Sequence, residues 1–402
     1  MSGDNRGASS RSLRPARAFI PGTVLLPTLA AAVGLDGGPI FQIFAIQNLE
    51  LTPQQLGVAF GVGIISVPIQ IAAARIPFRW ARRNSQLFFV TLAIQCVILA
   101  GLVAAGATGA MALIALAVTV IAEVSVSVLY APAWQPLMSQ AVIAVERQRL
   151  NSKWPAVARG LLAASLVLFE GFDSVGRAAF LGACGVLAAI SAIGLYAVPK
   201  PDQPDHDVQK DVPAEEARAA KSSYRRILVT VGAVNFGALP LWLVYLDTSL
   251  WPQANLGVVG AVQTVASLVA LLAWRATEGD IAHRGRIGAL ALTAGGVGAA
   301  ILAGPVDSPV EIALVYGVTV AITVSATVIR LVMLEELHRR TSPATSVRVF
   351  TMLDVVASTS LQVGLVAAGF LIVPTTTIPY RAFLLAGAIA ASATTRRALS
   401  SN

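Results

Sequence analysis

Residues 86–106 read QLFFVTLAIQCVILAGLVAAG, a run without one charged side chain. A helix of that length, rising 1.5 Å per residue, is about 30 Å long, the thickness of a bilayer's hydrocarbon core. Lipid offers no partner to a backbone N–H or C=O, so such a run survives in a membrane only as a helix or in a closed barrel. Working outward from it, apolar stretches recur along the chain. Expected spans are 19–46, 55–75, 86–106, 109–135, 155–172 and 176–198, then 226–247, 257–275, 288–304, 309–335, 348–373 and 379–394. The expected fold is an all-α membrane protein of twelve transmembrane helices.

Composition agrees. The chain is 56% hydrophobic and 12% charged, where soluble domains carry about a quarter charged residues. A net charge of +8 would suit a nucleic-acid partner, but the basic residues sit in every second connection instead. Arg75 to Arg83, Arg147 to Lys153, Lys200 to Arg226, Arg275 to Arg286 and Arg339 to Arg348 alternate with connections holding Glu50, Asp173 and Asp307. This is the positive-inside pattern, which predicts a multi-pass plasma-membrane protein with both termini cytoplasmic and no nucleic-acid role. Arg11, Arg14 and Arg17 resemble the start of a secretion signal, but further apolar spans follow, so an uncleaved first helix is expected.

The domain organisation follows: a tail over 1–17, a six-helix bundle over 18–198, a mixed-charge cytoplasmic linker over 199–225, a second bundle over 226–394 and a tail over 395–402. Each half carries a basic connection after its second and fourth spans, as expected of two pseudo-symmetric bundles. Asp36-Gly37-Gly38-Pro39 should break the first span. Cys96 and Cys184 lie in apolar runs and read as buried hydrophobes, and His206, His283 and His338 fall in connections. No metal or cofactor site is expected, and no G-x-x-x-x-G-K-[ST] phosphate loop is present.

Polar side chains within the spans are spaced to share helix faces. The fourth span has Thr119, Glu123, Ser127, Tyr130 and Trp134; the tenth has Tyr316, Thr319, Thr323, Thr327 and Arg330. The eleventh has Thr351, Asp354, Ser358 and Gln362, the seventh Asn235, Trp242 and Tyr245, and the first Asp36 and Gln47. The third, ninth and twelfth are nearly bare. Ser and Thr in such helices often bond only their own backbone, and Trp242 and Tyr245 also fit an interfacial belt. Asp36 and Glu123 are the candidates for proton coupling, since desolvation disfavours the charged form of a carboxyl. Arg330 and Asp354 fall at matching depth and read as a gating ion pair, while Arg159 and Glu170 read as interfacial.

Leu51-Thr52-Pro53-Gln54-Gln55-Leu56-Gly57 is similar to the segment that leads into the second helix of major facilitator superfamily transporters. Arg79-x-Ala81-Arg82-Arg83 resembles the end of that family's loop motif G-x-x-x-D-R-x-G-R-R, with Phe78 in place of the aspartate and Ala81 in place of glycine. Gly279-Asp280 and Arg284-Gly285-Arg286 are a looser echo, and the resemblance extends from about Ala18 to Arg397. It implies a central cavity lined by helices one, four, seven and ten, with three, six, nine and twelve facing outward. It also implies a cytoplasmic latch at Arg79, Arg82 and Arg83, for which a contact with anionic lipid headgroups is the alternative. Glu123 stands in the helix where drug–proton antiporters of the family carry arginine, and Pro155–Phe172 lacks their G-P-x-x-G-G-like motif.

The expected function is therefore not enzymatic. It is secondary transport by alternating access: proton-coupled efflux of a small amphipathic organic compound by a monomer, from an acid-bearing cavity with Trp134, Tyr316 and few cations. Uptake of a small solute, or a sensor or scaffold of the same shape, is the alternative. The partners are then a small-molecule substrate, protons and membrane lipid.

Overall fold

The computed structural model describes residues 17–25, 38–73, 80–142, 144–198, 214–276, 280–302, 304–340 and 343–400. Among these the chain is helical, and the one strand-like pairing is a bridge between Val373 and Thr376. The helices are α1 (17–25), α2 (Pro39–Gln47), α3 (Pro53–Gly61), α4 (Val67–Ala73), α5 (Ala81–Ala104), α6 (Gly109–Ala141), α7 (Ala144–Gly171) and α8 (Ser174–Gly194). They continue with α9 (Ala214–Gly237), α10 (Trp242–Tyr245), α11 (Leu256–Ala276), α12 (Ile281–Ile301), α13 (Pro309–Arg340), α14 (Pro343–Leu371) and α15 (Ile378–Leu399).

Local chemistry sets where they start. Pro39 opens α2, its missing N–H costing nothing in a first turn. Thr52 and Gln55 form a reciprocal capping box at α3. Asp173 accepts from the Gly176 N–H at 2.7 Å to cap α8, and Asp280 accepts from the Ala282 N–H at 3.0 Å to cap α12.

Seven helical spans among the described residues are long and apolar enough to cross a membrane: Ala81–Ala104, Gly109–Ser127, Ser174–Ala197, Tyr224–Leu250, Leu256–Trp274, Pro309–Leu337 and Met352–Leu371. Their outer faces are apolar. Val90, Ile94 and Val97 on α5, and Val186, Ile190 and Ile193 on α8, recur at i, i+4 and i+7 and stand exposed, Val97 to 63% and Ile193 to 67%. Met111, Ile114 and Val118 on α6, at i, i+3 and i+7, and Leu290, Val297 and Ile301 on α12, at i, i+7 and i+11, are exposed in the same way. In water such stripes would drive association; in a bilayer they meet acyl chains.

Inside, small residues let backbones touch. A Cβ on Gly237 would lie 2.6 Å from the Cα of Gly387, drawing α9 against α15. One on Gly296 would lie 2.6 Å from Ala388 Cβ, which holds α12 against α15. This is the small-residue packing of membrane helices.

Three segments differ from the sequence expectation. The helix that holds the fifth expected span begins at Ala144, ahead of residue 155, because Pro155 sits inside a continuous α7 instead of starting it. Helix α9 begins at Ala214, inside the stretch read as linker. The seventh span is not one rod. It stops at Gly237, turns through Pro240 with Leu239 and Leu241 at φ 55°, and resumes as α10 and a wide turn over Leu246–Leu250. Proline has no N–H to continue the ladder, so the break falls there.

Candidate functional site

One end of the molecule carries the turns near Asn48, Phe172, Trp251 and Thr376 and is called the distal end here. Helices from both halves of the chain meet there. The Gln47 amide donates to Glu170 Oε1 at 3.1 Å, and Glu170 Oε2 accepts from the Gly257 N–H of α11 at 3.0 Å. Arg177 donates to Asn48 Oδ1 at 2.7 Å and to the Phe169 carbonyl at 3.1 Å. The Gln54 amide reaches the Ile372 carbonyl at 3.5 Å. Two glycine seams run beneath. A Cβ on Gly257 would lie 2.5 Å from the Leu166 carbonyl oxygen of α7, and one on Gly369 would lie 2.7 Å from the Cα of Gly57 on α3.

Below the distal end lies a polar cluster contributed by α7, α9, α11 and α13. Arg159 of α7 is about 18 Å along its helix from Gly171. Its Nη1 donates to Ser267 Oγ at 2.8 Å and to the Ser267 carbonyl at 3.2 Å. Ser267 Oγ lies 3.3 Å from Thr327 Oγ1, and Thr327 donates its one hydroxyl proton to the Thr323 carbonyl at 2.8 Å. The serine must therefore donate to the threonine, giving a directed chain from Arg159 through Ser267 to Thr327. One turn beyond Thr327, Arg330 donates from Nη2 to the Asn235 side-chain oxygen of α9.

Other expected site residues are distributed as follows. Glu123 is 1% exposed on α6. Thr119 is buried and donates to the Leu116 carbonyl at 2.8 Å, while the Gln95 side-chain amide donates to the Thr119 carbonyl. Trp134 is buried between Phe19 of α1 and Phe89 of α5, ring centroids 5.1 and 5.8 Å away. Ser127 is half-buried on α6, and the side chain of Tyr130 lies outside the described residues. In the carboxy-terminal half, buried Trp242 donates from Nε1 to Thr319 Oγ1 at 2.9 Å and packs on Tyr245, which packs on Tyr380 at 4.4 Å. These rings are interior, not an interfacial belt. Tyr316 meets Trp251 edge-on at 6.2 Å. The Gln362 amide reaches Ser358 Oγ at 3.4 Å beside the α3–α4 junction, where a Cβ on Gly63 would lie 2.7 Å from Gln362 Nε2. Asp354 is half-buried on α14. Arg82 donates to the Val198 carbonyl at 2.9 Å past the end of α8, and Arg83 stacks over Trp80 at 5.7 Å. Asp36 and Arg79 lie outside the described residues.

Arg159, read from sequence as interfacial, and Ser267, which the sequence did not single out, join Asn235, Thr327 and Arg330 in one polar cluster.

These helices and their apolar faces define a polytopic helical membrane protein. No family model and no curated protein matches the sequence. Among solved structures, the chain is similar to a bacterial homologue of the iron transporter ferroportin in an inward-facing state, with TM-score 0.67 and 14% identity over 96% of this chain and 99% of that one. It is similar to the nucleoside transporter NupG, with TM-score 0.61 and 11% identity over 97% and 98%. It is also similar to a bacterial homologue of the human lysosomal transporter Spinster, with TM-score 0.54 and 15% identity over 99% and 96%. All three are major-facilitator-type folds, and this chain has that fold.

Proposed function

We propose that this chain is a twelve-span secondary transporter working by alternating access, with bundles at 18–198 and 226–394 rocking about a site near the membrane centre. The observation that carries this reading is the central cluster. Arg159, Ser267, Thr327, Arg330 and Asn235 come from helices on both sides of the linker and bond across them. Charged groups at that depth are costly and are kept where they line a pathway. The sealed distal end supports a carrier closed on one side, and the transporters that share the fold support the same class of activity.

The finer reading is export of a small amphipathic organic compound in exchange for protons, by a monomer in the plasma membrane with both termini cytoplasmic. Asp36 and Glu123 are the proposed proton carriers, with Asp354 and Arg330 acting at the gate. The experiment is proton movement in everted vesicles with an acid interior while a panel of amphipathic dyes and small organics is added, comparing wild type with Asp36→Asn. Substrate-dependent alkalisation that the variant loses is the expected result. Compound movement without any proton signal refutes proton exchange, and accumulation in right-side-out vesicles instead reverses the direction to uptake.

A further inference from the structure

The α3–α4 segment and α14 run antiparallel along one seam between the halves of the chain, and three glycines gauge the gap. A Cβ on Gly57 would meet backbone, the Gly369 Cα at 3.1 Å and the Val366 carbonyl oxygen at 3.2 Å. One on Gly61 would meet Val366 Cγ2, two bonds out from the backbone. One on Gly63 would meet Gln362 Nε2 at 2.7 Å, four bonds out. The backbones therefore diverge from the distal end toward the opposite, proximal, end. Continuing the same register brings Ser358 level with Pro68, and Asp354 level with Ala72 of α4. Pro68 and Ala72 are exposed there, while Ser358 and Asp354 are half-buried.

Asp354 forms no hydrogen bond or ion pair with a described residue. The described charged side chains on elements packed against α14 are Glu123 on α6, Arg225 and Arg226 on α9, and Arg381, Arg396 and Arg397 on α15. Across the seam there is none, because α3, α4 and the Val62–Ser66 turn between them carry no charged residue. A rocking carrier must close this proximal part when the distal part opens, which brings Asp354 against Ala72. A carboxylate pressed from water onto an apolar helix is costly in its charged form and much less so when protonated.

We propose that Asp354 is a proton-binding gate: the proximal end closes only when this carboxyl has taken up a proton. This rests on the transport reading above and supplies the chemistry of its gate. The proton adds to a carboxylate oxygen from water in the open proximal mouth and returns to that water on reopening. It therefore regulates the cycle without adding to net proton exchange. Acid on the proximal side favours the proximal-closed state, because that state holds the extra proton.

The test uses the full-length protein in phosphatidylcholine nanodiscs, with one cysteine introduced by Ala72→Cys or, separately, by Gln54→Cys. Cys96 and Cys184 are buried and give a low background. Labelling by a membrane-impermeant maleimide is followed from about pH 8.5 to about pH 5, each rate divided by that of Ser400→Cys at the same pH to cancel the thiol's own titration. The Ala72→Cys rate should fall about tenfold or more toward acid, while the Gln54→Cys rate rises. Adding Asp354→Asn should make Ala72→Cys label slowly at every pH, and Asp354→Glu should restore the pH profile. Ala72→Cys labelling that does not depend on pH overturns the proposal, and that result needs no Asp354 variant. A pH profile unchanged by Asp354→Asn overturns it as well. So does a rate that falls toward alkaline pH, since Asp354 would then close the seam as a carboxylate paired with Arg75, three residues beyond Ala72. Gln54→Cys tests the transport reading apart: if acid slows Ala72→Cys but leaves Gln54→Cys unchanged, the proton gate stands and alternating access falls.

Discussion

Replacing Gly369 by alanine tests whether the α3–α14 seam is a moving gate. The added Cβ would lie 2.6 Å from the Pro53 carbonyl oxygen, 2.7 Å from Gly57 Cα and 3.0 Å from Gly57 N. All three are backbone atoms, so no side chain can turn aside. Carbon atoms rest about 3.5 Å apart or more, so the helices must separate by about 0.8 Å. Overpacking of this kind costs roughly 1–3 kcal/mol. If the contact exists only when the distal end is closed, the whole cost falls on the closed state and lowers the closed-to-open ratio by about 5- to 150-fold. A cysteine at Gln54, half-buried against Ile372, reports this as its rate of labelling by a membrane-impermeant maleimide. Background is low because Cys96 and Cys184 are buried. The expected result is a rate at least about 5-fold above that of Gln54→Cys alone. Gly317→Ala, whose Cβ meets nothing within 4 Å, should leave the rate unchanged. A lowered melting temperature with no faster labelling would refute the reasoning, since the seam would then persist in both states.

Three further outcomes are expected. Glu170→Gln keeps one acceptor where the carboxylate serves both Gln47 and Gly257, so a charge-assisted bond is lost and Gln54→Cys labelling should rise about tenfold; an unchanged rate would show that this bridge does not hold the distal end. Trp242→Phe removes the Nε1–H bond to Thr319 at a cost of about 1 kcal/mol, and combined with Thr319→Val it should cost less than the two changes summed. Strict additivity in detergent melts would show the bond to be energetically idle. Glu123→Gln, nearly isosteric at a buried position, should keep its melting temperature and compound binding but lose substrate-dependent proton movement; retained proton movement would remove Glu123 from the coupling step.

Much of the fold was legible because lipid imposes one demand everywhere: a backbone bonded to itself over a length set by the bilayer. The run at 86–106 is helical over Ala81–Ala104, and the stretch at 309–335 lies within Pro309–Arg340. The polar residues were less legible, because spacing fixes which residues share a face but not which neighbour that face meets. Thr119, Glu123 and Trp134 share a face on α6, yet Glu123 is buried and Trp134 points into the packing against α5 and α1. Trp242 read equally as a cavity residue or as part of an interfacial belt, because it lies toward the outer end of its span. Pro240 and the left-handed Leu239 and Leu241 restart the helix, and the ring turns inward to Thr319.

The bonding between helices also bears on where such a protein can move. Glycine contacts alone do not mark the moving seam, because α9 meets α15 through Gly237 and Gly387 as closely as α3 meets α14. Side-chain hydrogen bonds separate the cases. Within the carboxy-terminal half, Thr293 and Ser392 link α12 to α15, and Trp242 links α10 to α13 through Thr319, all at buried or half-buried positions. Between the halves, the described bonds are concentrated at the distal rim and at Arg159 with Ser267. The rim bonds are ones that water can replace once the end opens. The Arg159 bond sits deeper, where water must enter with the cargo or not at all. A rocking motion therefore meets little polar resistance at the rim and its main resistance at the centre, the place where a bound solute can take over the arginine's partners.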